Sequence, residues 1–153
     1  MSGIIDSAGS KSGVIGTTEL DYEEGAWTVV LKGGSDVSLT TSSEEGKYTK
    51  IGNLVYASGY ISVSSLNSAI GGCYIAGFPF SASSGADAQG GIVNRAWNLS
   101  IADDTSLTIV LENNTTVGYM YNWDLTTGPS YLQTSEFTAS GIITFCVTYT
   151  MSN

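Results

Sequence analysis

Three carboxylate doublets, Glu23-Glu24, Glu44-Glu45 and Asp103-Asp104, are the side chains of this sequence best suited to acid–base chemistry. Two carboxyl groups about 5–9.5 Å apart across a sugar-sized groove are what glycosidic hydrolysis requires. Neighbours on a strand point to opposite faces, so no doublet is a ready-made dyad. Each reads more simply as a solubilising pair at a turn or strand end. Asp103 and Asp104 with Asp87 offer hard oxygen ligands to calcium, but no loop signature for that ion surrounds them. The sequence contains no histidine, which excludes Ser-His-Asp and Cys-His nucleophiles and every metal site built on imidazole. No phosphate-cradling glycine loop or dinucleotide fingerprint is present. The expectation is a protein that is not an enzyme, with no catalytic residue, no metal ligand and no cofactor.

Binding chemistry is better represented. In Tyr119-Met120-Tyr121-Asn122-Trp123-Asp124, aromatic rings alternate with amide and carboxylate side chains. Rings stack on the apolar faces of sugars while amides meet hydroxyls, so Tyr119, Tyr121, Asn122 and Trp123 are the candidate contacts for an external ligand. The alternative is that Tyr119, Tyr121 and Trp123, spaced by two, form the inward face of a strand. A second candidate is the Gly- and Ser-rich stretch 1–20, whose apolar dyads Ile4-Ile5 and Val14-Ile15 would dock an extended segment on a sister chain or a larger particle. The net charge of −9, from 14 acids against five bases, argues against a nucleic-acid partner, which needs Lys and Arg to neutralise phosphates. It argues equally against an anionic membrane surface, and no apolar run approaches the length that spans a bilayer.

The elements that would hold these residues are strands. Charged residues make up only 12% of the chain, about half the usual share, and the difference is filled by Ser, Thr, Gly and Asn. Its length of 153 residues is enough for one domain with a core of its own. Leu54–Val63 is the clearest period-two run, with Val55, Ala57, Gly59, Ile61 and Val63 on one face. Ile143, Phe145, Val147 and Tyr149 alternate in the same way near the C-terminus. Further strands are expected over Trp27–Leu31, Cys73–Ala76, Ile92–Ile101, Leu107–Leu111 and Val117–Trp123. Breaks fall at Gly33-Gly34, Ser42–Gly46, Gly77 to Pro79, Ser81–Gly91, Asn113-Asn114 and Gly128-Pro129. In Tyr48–Asn53, Gly52 and Asn53 read as a tight hairpin turn with positive φ at both. No helix is expected, and eight or so short strands at this spacing mean a sandwich or barrel. Cys73 and Cys146 lie in such runs; a disulfide forms between them only if their strands are neighbours. Several strands carry apolar residues on both faces, which points to burial of the second face between subunits.

Three words of the sequence occur in a familiar order: Asp21–Trp27 reads DYEEGAW, Gly46–Ile61 reads GKYTKIGNLVYASGYI, and Gly77–Phe80 reads GFPF. The series resembles a domain found at the ends of phage tail fibres, head fibres and related virion appendages, and the match covers about residues 21–150. The resemblance implies an antiparallel β-sandwich of jelly-roll type over residues 21–153, preceded by the extended docking segment 1–20, assembled as a homotrimer on the surface of a virion. The function it implies is a short fibre or spike subunit that attaches the particle to a host surface glycan or protein, joined to another virion protein of tail, baseplate or capsid. A head fibre or capsid decoration without a receptor role is the alternative, and a polysaccharide depolymerase is a third, for which the chain lacks an acid constellation.

Overall fold

The computed structural model describes residues 21–85 and 89–152. Two long strands, β3 (Thr40–Ile51) and β4 (Leu54–Ser65), form the hairpin that organises one half of it, with Ile51 opposite Leu54. Gly52 takes φ +60° and Asn53 does not share that conformation. Positive φ at the first central residue alone is the pattern of a type II′ turn, so the expectation for Asn53 is corrected. Along β4 the five residues Val55 to Val63 in steps of two are all buried, and the alternate set from Leu54 to Ser62 is exposed or half-buried. That alternation is the period-two pattern turned into a surface and a core.

The closing strand β10 (Phe137–Thr150) lies between β4 and β6 (Gly90–Leu99), antiparallel to both. Beyond β6 follow β7 (Ser106–Leu111), β8 (Val117–Asp124), β5 (Tyr74–Ala76) and β2 (Val30–Lys32). On the far side of β4 stand β3 and then β1 (Tyr22–Trp27). A short strand β9 (Gly128–Tyr131) pairs with β8 off this path. All pairings are antiparallel. The sheet is one hydrogen-bonded path of strands, curled so that its buried faces meet in a single core. Leu31, Ile75 and Met120 enter it from one half, Val55, Ile61 and Phe145 from the other. The fold is therefore the all-β, antiparallel, sandwich-like one that the patterning implies.

Aromatic packing closes the curl. Trp27 stacks on Phe78 with centroids 4.8 Å apart, and Phe78 meets Phe145 and Tyr149 edge-on. Mid-β4, Gly59 leaves room for the Phe145 ring; a β-carbon there would lie 2.3 Å from its Cζ. The one buried base among the described residues, Lys50, pairs with Asp21 at 2.7 Å and lies near the Phe80 ring.

Several local expectations differ from the structure. Ser42–Gly46 is not a loop; it lies within β3, where register shifts between Thr40 and Ser43 mark an irregular ladder. Polar residues on both faces conceal a strand from periodicity, and here Ser42 Oγ reaches across to the Ser62 hydroxyl at 3.0 Å. Trp27–Leu31 is not one strand either. Trp27 ends β1 and Val30 starts β2, at opposite ends of the strand order. Val29 and Leu31 still face the core, which is why the alternation reads as continuous. Gly128-Pro129 opens a strand as well as a turn. Proline lacks a donor, and an edge strand such as β9, paired on one side only, tolerates that loss. The only helical turn among the described residues is a 3-10 turn at Thr134–Glu136, and β10 begins directly after it. Ile4, Ile5, Val14, Ile15 and Asp87 lie outside the described residues.

Candidate functional site

Strand β8 decides the fate of the aromatic run. Its buried positions are Gly118 and Met120, so the even-numbered side chains face the core and Tyr119, Tyr121 and Trp123 face outward. The outward arrangement holds for the three rings, and the inward-strand alternative is excluded. Asn122 does not join them. It shares the face of Met120, where its Nδ2 donates to Glu136 Oε1 at 3.2 Å and its Oδ1 is buried without a protein partner.

Register brings in two more rings. Tyr74 on β5 stands opposite Tyr119, and Tyr131 on β9 stands opposite Tyr121. Centroids are 5.5 Å apart for Tyr74 and Tyr119, 5.4 Å for Tyr119 and Tyr131, and 4.8 Å for Tyr131 and Tyr121. Trp123 extends the row, opposite Pro129. The result is a contiguous outer band of four tyrosines and one tryptophan across three strands, in which Tyr131 is 46% and Trp123 44% exposed.

Both ends of the band are fastened. At one end the Tyr74 hydroxyl donates to Asp36 Oδ1 at 2.6 Å, and Lys32 Nζ donates to the same oxygen at 2.8 Å. Lys32, then Tyr74, hold the Asp36 carboxyl below its ordinary range. At the other end Trp123 Nε1 donates to Thr108 Oγ1 at 2.7 Å. Asp124 caps the following turn by accepting the Thr126 and Thr127 amides at 2.6 Å each, and the Thr127 hydroxyl and these amides lower its pKa. Within the band, hydrogen bonding with Tyr131, then burial, pushes the Tyr121 hydroxyl up to about 12. Burial, then Asp36, does the same for Tyr74. These phenols are neutral donors at physiological pH.

Neither Tyr74 nor Tyr131 is legible from the sequence as a member of this band. Tyr74 sits in a strand of three residues, and β9 contains Pro129, which signals a turn. Only the cross-strand register reveals that these residues border Tyr119 and Tyr121.

The acidic doublets are dispersed. Glu23 accepts from the Tyr48 hydroxyl at 2.6 Å on the inner side of β1, while Glu24 accepts from Tyr22 at 2.7 Å on the outer side. Glu44 accepts from the Thr41 hydroxyl, and Glu45 pairs with Lys47 at 2.7 Å. Asp103 and Asp104 occupy an exposed turn between β6 and β7. Among the described residues no group of three or more Cys, Asp or Glu side chains is placed to hold a metal ion. Cys73 and Cys146 are both free, one buried on the β5 side and the other on the outer face of β10. Burial pushes the Cys73 thiol up to about 12.

The fold is similar to that of the Dettilon tailspike protein (gp208), with a TM-score of 0.74 and 22% sequence identity over 84% of this chain and 24% of that one. The chain thus spans about a quarter of the length of that protein. No family model matches the sequence, and no curated protein does.

Proposed function

We propose that the chain is a phage virion protein, a subunit of a short trimeric fibre or spike that attaches the particle to its host surface and performs no catalysis. The observation that carries this reading is the outward band Tyr74–Tyr119–Tyr131–Tyr121 with Trp123. An adhesive module gains rigid contact area, at low entropic cost, from five aromatic side chains aligned on the outer face of a sheet. The DYEEGAW, GKYTKIGN and GFPF words support a place on a virion, as does the likeness in fold to a tailspike. The carboxylates support no depolymerase, since the members of the doublets on β1 and β3 are each engaged by a different neighbour.

The trimer would form on the outer face of β4, β10 and β6. Leu54, Tyr56, Ser58, Tyr60, Ser62, Ile142, Thr144, Cys146, Thr148 and Thr150 share that face with Ile92 and Trp97, and Arg95 is its one charge. Ile92 and Trp97 are 56% and 53% exposed. A chain with a net charge of −9 meets copies of itself with least repulsion where it carries no acid. Attachment to the rest of the particle would fall to residues 1–20.

Adsorption tests the reading. Labelled protein should adsorb to the cells of at least one bacterial host and compete there with the parent particle. Tyr121→Ala and Trp123→Ala should weaken adsorption while leaving the melting temperature nearly unchanged. Light scattering should give a mass of three times 16.0 kDa. A protein that binds no host cell, or variants that adsorb as well as the parent, would remove the attachment function; a monomer would remove the trimer.

A further inference from the structure

We infer that the tyrosine band is a docking strip for an uncharged polysaccharide chain of the host surface, lying across strands β5, β8 and β9, and that it rejects acidic glycans. The inference rests on the attachment reading and names its ligand class. Three features of the band carry it.

The first is its surface chemistry. Each phenol presents part of an apolar ring beside a hydroxyl, and neighbouring rings lie 4.8–5.5 Å apart, tilted 31–57° to one another. A polysaccharide likewise presents C–H faces and hydroxyls in regular repeat, so ring stacking and hydroxyl hydrogen bonds can be made together along one line. A flat protein partner would ask for a closed apolar patch with a charged or polar rim; here the polar groups lie within the row itself.

The second is charge. An acidic sugar needs a base free of an acidic partner, and the described base that has none, Arg95, is stacked on Trp97 in β6 and not on β5, β8 or β9. Lys32 is engaged by Asp36, Lys47 by Glu45 and Lys50 by Asp21, while the Arg95 guanidinium lies 3.2 Å over the Trp97 ring. Asp36 and Asp124 flank the strip instead. In a chain of net charge −9, a uronate or sulfate approaching the band meets repulsion without an opposing cation.

The third is rigidity. Tyr74 is tied to Asp36 and Trp123 to Thr108, one at each end, so the rings are held in place before the ligand arrives. Preorganisation of this kind spares the entropy of ordering long side chains on binding.

The test uses the full chain and cells to which it adsorbs. Their surface polysaccharide is extracted, split by anion exchange into neutral and acidic fractions, and titrated against the fluorescence of the protein. The neutral fraction should change the tryptophan emission, since Trp123 is exposed, and should compete with adsorption. Binding should be insensitive to salt, because no ion pair is made. Tyr131→Ala, on an edge strand, and Tyr121→Ala should each weaken it about tenfold, the loss expected of one well-placed ring. Competition by the acidic fraction instead, steep salt dependence, or abolition of adsorption by protease treatment of the cells would overturn the inference while leaving attachment standing. Failure to adsorb to any host removes both.

Discussion

Tyr149 and Phe80 hold each other from both sides: the Tyr149 hydroxyl donates to the Phe80 carbonyl at 3.0 Å and accepts from the Phe80 amide at 3.3 Å. One phenol thereby satisfies both backbone groups of a residue at a Pro-fixed bend, where no strand partner is available. Tyr149→Phe keeps the ring in the core and removes only the bracket. The expected cost is about 1–2 kcal/mol, because the Phe80 groups lose their partner. Denaturant unfolding should show it as a lowered midpoint with an unchanged slope.

Gly59→Ala should destabilise by about 1–3 kcal/mol, the range for overpacking a filled core. The added methyl has to displace the Phe145 ring, which approaches Gly59 more closely than any β-carbon permits. Combining it with Phe145→Leu should cost less than the sum of the two single changes, since each relieves the other. Additive losses in a double-mutant cycle would place the strain elsewhere.

Gly52→Ala tests the hairpin separately from packing. Nothing lies within 4 Å of a β-carbon at this position, so the penalty comes from φ +60° alone. About 1–2 kcal/mol is expected. Asn53→Ala, at negative φ, should be nearly neutral in the same thermal melt.

Alkaline pH should destabilise the fold first through the Cys73 thiol and then through the phenols of Tyr149, Tyr74 and Tyr121. Burial raises Cys73 from an ordinary 9.0, and Tyr149 from 10.0, to about 12 each. Both groups are neutral when folded and ionise first in the unfolded chain. Their contribution is complete below the unfolded values and is lost as pH rises from 9 toward 12. The melting temperature should fall from about pH 9 onward. Cys73→Ala should delay that fall to about pH 10, where Tyr149, Tyr74 and Tyr121 take over. An unchanged pH profile in Cys73→Ala would exclude its thiol as the first of these groups.

Deletion of residues 1–20 should leave a folded sheet that no longer joins the particle. Full incorporation of the truncated form would put attachment on the sheet itself.

Strands with one wet and one dry face were legible in the sequence, and β4 and β10 are the clearest cases. Their Val, Ile, Phe and Tyr residues at every second position permit only one assignment of faces. Strand β3 was legible only near its hairpin, because the Ser- and Glu-rich half carries polar groups on both sides. The candidate site was half legible. Alternation places Tyr119, Tyr121 and Trp123 on one face, yet which face depends on Gly118 and Met120, small or flexible residues that give a weak apolar signal. Asn122 follows by parity once that face is known. Tyr74 and Tyr131 depend on pairing between segments 45 and 10 residues away from their partners in β8. No local pattern encodes such a register.

The placement of β10 bears on the order of events during synthesis. It is the last of the ten strands to be made, yet it lies between β4 and β6, the inner member of both halves. Until it is present, the β1–β3–β4 group and the β6–β7–β8–β5–β2 group have no hydrogen bonds joining them along the sheet path. The nascent chain can pair β3 with β4 through their hairpin on the microsecond scale. Its two sections then wait with their edges exposed on the ribosome, joined through β2 by the Lys32–Ser38 bridge and the Leu39 amide on the Leu31 carbonyl. A stop codon within β10 would therefore release two ribbons that lack their central strand rather than a slightly shortened sheet, and the product would be prone to aggregate.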